Sequence, residues 1–505
     1  MPAPHNARLT LDPTAPSAPV DPRIFGAFVE HLGRCVYTGV YEPGHPTADT
    51  DGLRTDVLDL IRELGPTMLR YPGGNFVSGY DWEDGVGPKD ERPRRLDLAW
   101  RTVETNQFGL GEFIRLCRAT GTEPMMALNL GTRGVAEAIA LAEYCNIPGG
   151  TARSELRRAH GDAEPYGIGL WCLGNELDGP WQIGNKTAEE YGRLADQTAR
   201  ALKMIDPGLE LVACGSSGRS MPTFGQWEAT VLEHAYESVE FISAHAYYEE
   251  TDGDVDSFLA SAADMESFIA GAVATADAVG ARLKSRKRIN ISFDEWNVWY
   301  MGRWHAEGVH EEPWQVAPRQ LEDVYSVTDA VVAGSLLITL LRNAERVTAA
   351  CLAQLVNVIA PIMTEPGGPA WRQTIFHPFA EASRYGRGRV LTVNVDSPEH
   401  DTAKHGTVAL LHATAVACED GSTSVFAVNR DTARPLTLTV DLRAGGPHGA
   451  VTCSTLADPD RHARNTMAEP DRVTPQSNKD VRVEAGRVEV TLPPLSWNTI
   501  RIAAA

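Results

Sequence analysis

The sequence lacks a long hydrophobic run. A membrane-spanning helix needs about 18 consecutive apolar residues, and no such stretch occurs among the 505 residues. The N-terminal segment MPAPHNARLTLDPTAPSAP also lacks the apolar core of a secretory signal peptide. We therefore expect no membrane partner and a cytoplasmic location.

Basic residues are scarce. The chain carries 46 Lys and Arg against 67 Asp and Glu, for a formal net charge of −21. A nucleic-acid partner requires clustered cations that displace counterions from phosphates, so no such partner is expected. The hydrophobic fraction of 43% and the charged fraction of 22% are those of an ordinary globular protein.

Cofactor and metal motifs are also absent. The eight cysteines are scattered without a CxxC pair, which is typical of buried, reduced thiols and not of a disulfide scaffold or a zinc site. No GxGxxG, GxxxxGK[ST] or HExxH motif occurs. We therefore expect neither a cofactor nor a bound metal.

Eight short apolar or β-branched runs occupy the first three quarters of the chain and predict strands. They cover residues 24–30, 67–73, 123–131, 168–176, 209–216, 241–248, 288–296 and 347–357. The segments between them show the 3.6-residue apolar spacing of helices, as at 108–120 and 187–205. Regular alternation of this kind predicts an α/β fold, a (β/α)8 TIM barrel, with a doubly wound open sheet as the alternative.

The pattern changes near residue 386. Short alternating segments separated by Gly, Pro and Asp clusters predict a C-terminal antiparallel β-sandwich, jelly-roll-like, without helices. We therefore divide the chain into an N-terminal strand at 1–20, a catalytic barrel at 21–385 and a sandwich domain at 386–505. The N-terminal strand is expected to pack on the C-terminal sheet.

Two glutamates end predicted strands amid polar and aromatic residues. Glu176 ends the fourth strand in LWCLGNELDGPWQ, and Glu295 ends the seventh in ISFDEWNVWY. A carboxylate in such a position makes sense at the mouth of a barrel, where it meets a ligand, and two carboxylates across a pocket are the apparatus of glycoside cleavage. The alternation of a strand places Asp294 on the face opposite to Glu295, so Asp294 is given no catalytic role.

Tryptophans near these glutamates suit sugars, whose C–H faces stack on aromatic rings. Each of them is equally compatible with a place in the core. Near the two strand ends in sequence lie Trp171, Trp181, Trp296, Trp299, Trp304 and Trp314.

Several long strings resemble those of glycoside hydrolase family 51. They are GAFVEHLGR, LRYPGGNFVSGYDWEDGVGP, WCLGNELDGPWQIG, FDEWNVWY and LAQLVNVIAPI, with SVFAVNRD and LPPLSWNTIRI in the C-terminal part. Typical members are intracellular, retaining, exo-acting α-L-arabinofuranosidases with a barrel and a β-sandwich. The resemblance implies arabinose-containing oligosaccharides as substrates, from arabinan or arabinoxylan, and a homo-oligomer, commonly a hexamer.

The resemblance also assigns roles to matching positions. It makes Glu176 the general acid/base, Glu295 the nucleophile and Asn175 the partner of the sugar hydroxyl next to the anomeric carbon. The other positions that it implies in substrate binding are Glu30, Asn75, Trp100, Tyr247, Trp299 and Gln354. Tyr247 is implied to contact the nucleophile, Trp299 and Gln354 to line the far side of the sugar pocket, and Trp100 to form a wall near the leaving group.

Other residues are open to two interpretations. Arg70 is expected to brace a carboxylate, His245 to support the nucleophile or to be a core histidine, and His31 is similarly ambiguous. Ala246 stands where relatives are expected to carry a larger polar residue. The segment 301–313 looks longer than usual, which leaves the preference for the leaving group open.

Three rival functions remain at this stage. One is a xylanase or glucanase on the same two-glutamate barrel. Another is a metal-dependent hydrolase using His31, His245 and a carboxylate, although the sequence lacks its usual motifs. The third is a non-catalytic carbohydrate-binding protein, against which the presence of both glutamates argues.

Overall fold

The computed structural model describes residues 3–307, 312–443, 449–484 and 486–504. Residues 308–311, in the segment that the sequence singles out as long, lie outside the described residues.

The described chain alternates between short strands and helices before it becomes all-β. The strands are β1 (His5–Pro19), β2 (Gly26–Phe28), β3 (Met68–Tyr71), β4 (Arg95–Asp97), β5 (Thr102–Glu104), β6 (Glu123–Ala127), β7 (Leu170–Cys172), β8 (Glu210–Ala213), β9 (Phe241–Tyr248), β10 (Asn290–Val298), β11 (Val347–Leu352), β12 (Ile362–Thr364), β13 (Ala370–Arg372), β14 (Gly388–Asp396), β15 (Glu399–Thr402), β16 (Gly406–Ala409), β17 (Leu411–Cys418), β18 (Thr423–Asn429), β19 (Leu436–Leu442), β20 (Val451–Leu456), β21 (Gln476–Ser477), β22 (Val481–Glu484), β23 (Arg487–Leu492) and β24 (Ser496–Ile502). The α-helices are α1 (Thr55–Leu64), α2 (Leu110–Thr120), α3 (Val135–Asn146), α4 (Ala152–Ala159), α5 (Ala188–Ile205), α6 (Gln226–Ala235), α7 (Val255–Leu259), α8 (Ala262–Leu283), α9 (Met301–Glu307), α10 (Val327–Arg342) and α11 (Phe376–Tyr385).

Eight parallel strands close into a barrel in the order β10-β11-β2-β3-β6-β7-β8-β9. Each lies within one of the eight predicted runs or extends it by two residues, so the predicted (β/α)8 barrel is confirmed. These strands read as continuous apolar runs because helices cover them outside and side chains fill the barrel inside.

Local sequence sets the helix boundaries. The Thr187 side chain accepts a hydrogen bond from the backbone N–H of Glu190 and so caps the start of α5. The helix ends before Asp206-Pro207-Gly208, the stop predicted from the sequence. Its buried residues lie on one face, against the barrel.

The C-terminal part is a mostly antiparallel sheet in the order β21-β20-β24-β18-β17-β14-β1-β19-β23-β22. The strand β19 buries alternate residues along its whole length, whereas the central strand β18 is buried throughout, and the strands together enclose one apolar cluster. The N-terminal strand β1 lies inside this sheet, antiparallel to β14 and parallel to β19.

The barrel and the C-terminal sheet share part of their core. The buried Trp497 of β24 packs against Gly334 of α10, where a Cβ would lie only 2.3 Å from its ring. The Trp497 indole N–H donates to Glu381 of α11 across 2.8 Å. The missing side chain of Gly334 is therefore what lets helix and sheet approach.

All eight cysteines are free, seven of them buried. Every helix in the described ranges is too short or too polar to cross a lipid bilayer.

Candidate active site

Polar side chains gather at the carboxyl ends of the barrel strands. Their positions on the strands bring together Glu30 after β2, Arg70 in β3, Asn175 and Glu176 after β7, His245 and Tyr247 in β9, Asp294 and Glu295 in β10, and Gln354 after β11. In barrels of this type the chemistry lies at this end, because eight successive loops converge there.

Glu176 and Glu295 face each other across this mouth. An oxygen of each carboxylate and a ring nitrogen of His245 all lie within 4.8 Å of one another. Their side chains are 10% and 7% exposed. The two strand-end glutamates are therefore close and almost enclosed, and both remain within reach of a small ligand.

Two donors hold the Glu295 carboxylate. Arg70 donates to Oε1 across 2.8 Å and the Tyr247 hydroxyl to Oε2 across 2.7 Å. Burial and the Glu295 charge raise the pKa of Tyr247 well above its usual value, so the phenol keeps its proton. Arg70 also donates to Asn175 Oδ1 across 2.7 Å and lies over the Phe28 ring. A guanidinium and a phenol therefore hold the Glu295 carboxyl group in one orientation.

His245 joins the two sides of the site. Its Nδ1 lies 2.8 Å from Glu176 Oε1 and 3.7 Å from Glu295 Oε2, and its Nε2 lies 2.9 Å from Asp294 Oδ1. Burial disfavours the charged ring, but Glu295 and the bonds to Asp294 and Glu176 raise the pKa of His245 well above its usual value. The ring is therefore an imidazolium that donates from both nitrogens.

The predicted orientation of Asp294 is wrong. Asp294 does not point away from the site: it shares His245 with Glu176, and its Oδ2 lies 3.9 Å from Arg70 Nε. The pairing of β10 with β9 shifts register between Ser292 and Glu295, and such an irregularity breaks the alternation of faces. Burial favours a neutral Asp294, but Arg70 and His245 outweigh it and hold the pKa of Asp294 below its usual value.

Glu30 accepts three N–H groups. Its Oε1 accepts from the backbone of Phe76 across 3.0 Å and from the Trp100 indole across 2.9 Å, and its Oε2 from Gln354 Nε2 across 2.9 Å. Burial and the nearby Glu295 charge raise the pKa of Glu30 to about 8, against the effect of these bonds. The network ties together the loops after β2, β3 and β11.

Two glycines allow this crowding. A Cβ on Gly73, whose φ is +156°, would lie 2.6 Å from Glu30 Cγ. One on Gly74 would lie 3.1 Å from Glu30 Oε2 and 3.3 Å from Glu295 Oε1. Because Gly73 and Gly74 lack a Cβ, their backbone can lie close to the carboxyl groups of Glu30 and Glu295.

The remaining predicted binding residues lie beside these groups. Asn175 Nδ2 points at Asn75 Oδ1 across a long 3.4 Å, and the Trp299 ring packs edge-on against Tyr247 at 5.1 Å between centroids.

The tryptophans divide between core and site. Trp171 and Trp296 are fully buried core residues, so they are not available to a ligand. Trp181 is 52% exposed, and its indole donates to Glu176 Oε2 across 2.8 Å. The apolar character of tryptophan does not by itself distinguish a core residue from a site residue. The Gly-Pro pair directly before Trp181 is typical of a turn, and so indicates an exposed position for this tryptophan.

The metal hypothesis loses one proposed ligand. His31 lies away from the Glu176–His245–Glu295 group, with its ring nitrogens 2.8 Å from Glu104 and from the Tyr71 hydroxyl. Both nitrogens of His245 are already bonded to carboxylates.

Comparison with known proteins agrees with this arrangement. An α-L-arabinofuranosidase 1 domain matches residues 60–257, and an α-L-arabinofuranosidase C-terminal domain matches residues 294–496. The chain is 66% identical to an intracellular exo-α-(1→5)-L-arabinofuranosidase of Streptomyces lividans, over 98% of this chain and 75% of that protein. It is 55% identical to an exo-α-(1→6)-L-arabinofuranosidase of Bifidobacterium longum, over 98% and 97% of the two chains.

Solved structures show the same fold. A family 51 α-L-arabinofuranosidase from Bifidobacterium longum superposes with a TM-score of 0.94 at 48% identity, covering 99% of both chains. An arabinose complex of the Thermotoga maritima enzyme superposes with a TM-score of 0.86 at 35% identity, over 98% of this chain and 99% of that one. The chain therefore belongs to the α-L-arabinofuranosidases of glycoside hydrolase family 51.

Proposed function

We propose that this arabinofuranosidase is exo-acting and retaining, and that it releases terminal non-reducing α-L-arabinofuranosyl residues from arabinan or arabinoxylan oligosaccharides. The observation that carries the retaining mechanism is the approach of Glu176 and Glu295 to within 4.8 Å. Retaining glycosidases separate their carboxyl groups by about 5 Å, whereas inverting ones leave room for a water. The (1→5) linkage in the name of the relative from Streptomyces lividans favours arabinan fragments.

Glu295 is the nucleophile in this proposal. Arg70 and Tyr247 hold it in one orientation, so one of its oxygens attacks the anomeric carbon and forms a glycosyl-enzyme ester. Arg70 holds Asn175 through its Oδ1. One N–H of Nδ2 points at Asn75, and the other serves the hydroxyl next to the anomeric carbon, a bond that strengthens in the oxocarbenium-like transition state.

Glu176 is the general acid and then the base. It donates a proton to the leaving oxygen, and in the second half-reaction it takes a proton from the attacking water. Trp181, half exposed, is the partner of Glu176 Oε2 that the leaving oxygen replaces. His245 keeps its bond to Oε1 and so orients the carboxyl group.

The arabinose ring is held by the other side of the mouth. Glu30 accepts a hydrogen bond from Gln354, and Asn75, Tyr247 and Trp299 complete the wall. The Trp100 indole donates to Glu30 and forms a wall near the leaving group. Carboxylate and amide groups in this number suit a small neutral sugar with several hydroxyls.

A panel of aryl glycosides tests the substrate. Arabinofuranoside, xyloside, galactofuranoside and glucoside are compared by kcat/KM, and the arabinofuranoside should be cleaved best. A better xyloside or glucoside would favour the xylanase or glucanase alternative. Glu295→Ala should abolish turnover, whereas a carbohydrate-binding protein would keep its function.

Assembly, location and domain division belong to the same proposal. Family resemblance supports a hexamer, which light scattering on the purified protein tests. The relatives named intracellular support a cytoplasmic location. We divide the chain at 21–385 and 386–505, with 1–20 joined to the second unit through β1.

A further inference from the structure

The hairpin formed by β4 and β5 is attached to the barrel by polar groups. Its residues Asp97, Thr102 and Glu104 are buried, whereas Leu96 and Leu98 are 58% and 60% exposed. A two-stranded hairpin is only marginally stable by itself, and burial of apolar side chains usually supplies the missing stability. Because this hairpin buries polar side chains instead, its position depends on the hydrogen bonds that they make.

Glu104, the last residue of β5, bonds to the loop after β2. Its Oε2 lies 2.8 Å from His31 Nδ1, and its Oε1 accepts from the Tyr37 hydroxyl and from the backbone N–H of Asn106. Burial favours a neutral carboxyl group, but His31 and the other two donors outweigh it and hold the pKa of Glu104 below its usual value. The carboxylate therefore carries no proton, so His31 donates to it from Nδ1.

His31 is itself fixed by its neighbours. Its Nε2 lies 2.8 Å from the Tyr71 hydroxyl of β3, and its ring stacks on Phe76 at 4.7 Å between centroids. The backbone N–H of Phe76 donates to Glu30 Oε1, and Glu30 directly precedes His31 in the chain. The ring that receives Glu104 is thus built into the loops that hold Glu30.

Trp100 lies at the tip of the same hairpin. The Asp97 carboxylate accepts from the N–H groups of Ala99 and Trp100 across 2.9 Å and 3.3 Å, and from the Thr102 hydroxyl across 3.2 Å. These bonds give the tip a fixed shape. A shift at the base of the hairpin is therefore passed on to the Trp100 ring.

Other attachments of the hairpin are exposed or independent of side chains. Trp314 and Gln315 bond to it through backbone groups, which every residue type except proline can supply. Arg95 of β4 pairs with Asp84 across 2.7 Å, but the Arg95 side chain is 60% exposed, and exposed pairs add little stability. The buried side-chain attachment at the base is that of Glu104.

Two bonds thus join the hairpin to the loop after β2. Glu104 bonds to His31 at the base, and the Trp100 indole donates to Glu30 at the tip. We infer that Glu104 is a positioning residue, which fixes the hairpin on His31 so that Trp100 meets Glu30. This inference rests on the proposed function, because it takes Glu30 and Trp100 as residues that bind the substrate.

A double-mutant cycle tests this role. Glu104→Asp keeps the charge but shortens the side chain by one methylene, so the hairpin must shift to reach His31. With Trp100 present, kcat/KM for an aryl arabinofuranoside should fall about tenfold, because the indole loses its alignment with Glu30. In a Trp100→Phe background, which lacks the indole N–H, the same change should lower kcat/KM by less than about twofold.

Glu104→Gln separates position from charge. It keeps the length of the side chain, and its amide can donate to His31 once the ring carries its proton on Nε2, so kcat/KM should stay near that of the wild type. A loss as large as in Glu104→Asp would assign the effect to charge and overturn the positioning role.

Glu381→Asp is the matched control. Glu381 of α11 also accepts from an indole, that of Trp497, and from the Thr499 hydroxyl, but it lies against the C-terminal sheet. Its kcat/KM should equal that of the parent protein in both backgrounds. Equal losses from Glu104→Asp in both backgrounds would overturn the inference and leave the proposed function intact. A wild-type enzyme that does not cleave the aryl arabinofuranoside would instead overturn the proposed function.

Discussion

Arg70 of β3 donates to Glu295 of β10 across 2.8 Å, and its second amino group holds Asn175 across 2.7 Å. All three side chains are buried, so one guanidinium fixes both the proposed nucleophile and the proposed partner of the adjacent hydroxyl. A planar fork can make both bonds at once, which a point charge cannot do as well.

Arg70→Lys should therefore lower kcat/KM for an aryl arabinofuranoside about 100-fold, because a misplaced nucleophile loses its alignment. The charge is kept, so loss of charge does not explain the effect. Arg346→Lys is the control: Arg346 pairs with Asp277 at the opposite end of the barrel and should change stability without changing kcat/KM. Equal activity in Arg70→Lys and wild type would contradict the role of the fork.

Asp294 should control the charge of His245. The pKa of His245 lies above its usual 6.5, so the imidazolium stabilises the fold fully below about pH 6.5 and this stabilisation is lost as pH rises through the raised pKa. Asp294→Asn removes the anion at Nε2 and should lower that pKa. Nitrogen NMR of labelled histidine, with His245→Gln for assignment, measures the midpoint. A midpoint near 6.5 in both proteins would refute the coupling.

Glu30 should make stability depend on pH. Its pKa is raised to about 8 from 4.5, so between these values the unfolded chain loses a proton that the folded chain keeps. The contribution is full below pH 4.5 and is lost as pH rises through about 8. The wild type therefore loses stability between about pH 5 and about pH 8, whereas Glu30→Gln has no proton to lose at this position. The melting temperature of Glu30→Gln minus that of the wild type should rise steadily over this range. A constant difference would mean that Glu30 is ionised throughout, held by its three N–H donors.

Gly73→Ala tests the close packing around Glu30. The added Cβ would lie 2.6 Å from Glu30 Cγ, so the carboxylate must move and kcat/KM should fall about 100-fold. Gly169→Ala is the control, because a Cβ there meets nothing within 4 Å. If both variants kept full activity, the position of Glu30 would not matter to the reaction.

The barrel and the two strand-end glutamates could be predicted from the sequence, because apolar runs and turn residues mark each strand. The orientation of Asp294 could not, since the register shift in β10 leaves no trace in the pattern of residues. The buried places of Trp171 and Trp296 depend on which face of a strand meets the helices, which requires the closed barrel.

We expect Glu295 to form a covalent arabinosyl ester while Glu176 serves as acid and base. Glu176→Ala slows the second half-reaction, so with an aryl arabinofuranoside that carries a good leaving group the ester should accumulate. Mass spectrometry of the quenched variant then measures the adduct. The expected adduct is one anhydroarabinose unit, located on the peptide containing Glu295. An unlabelled protein under steady turnover, or a label on another residue, would contradict it.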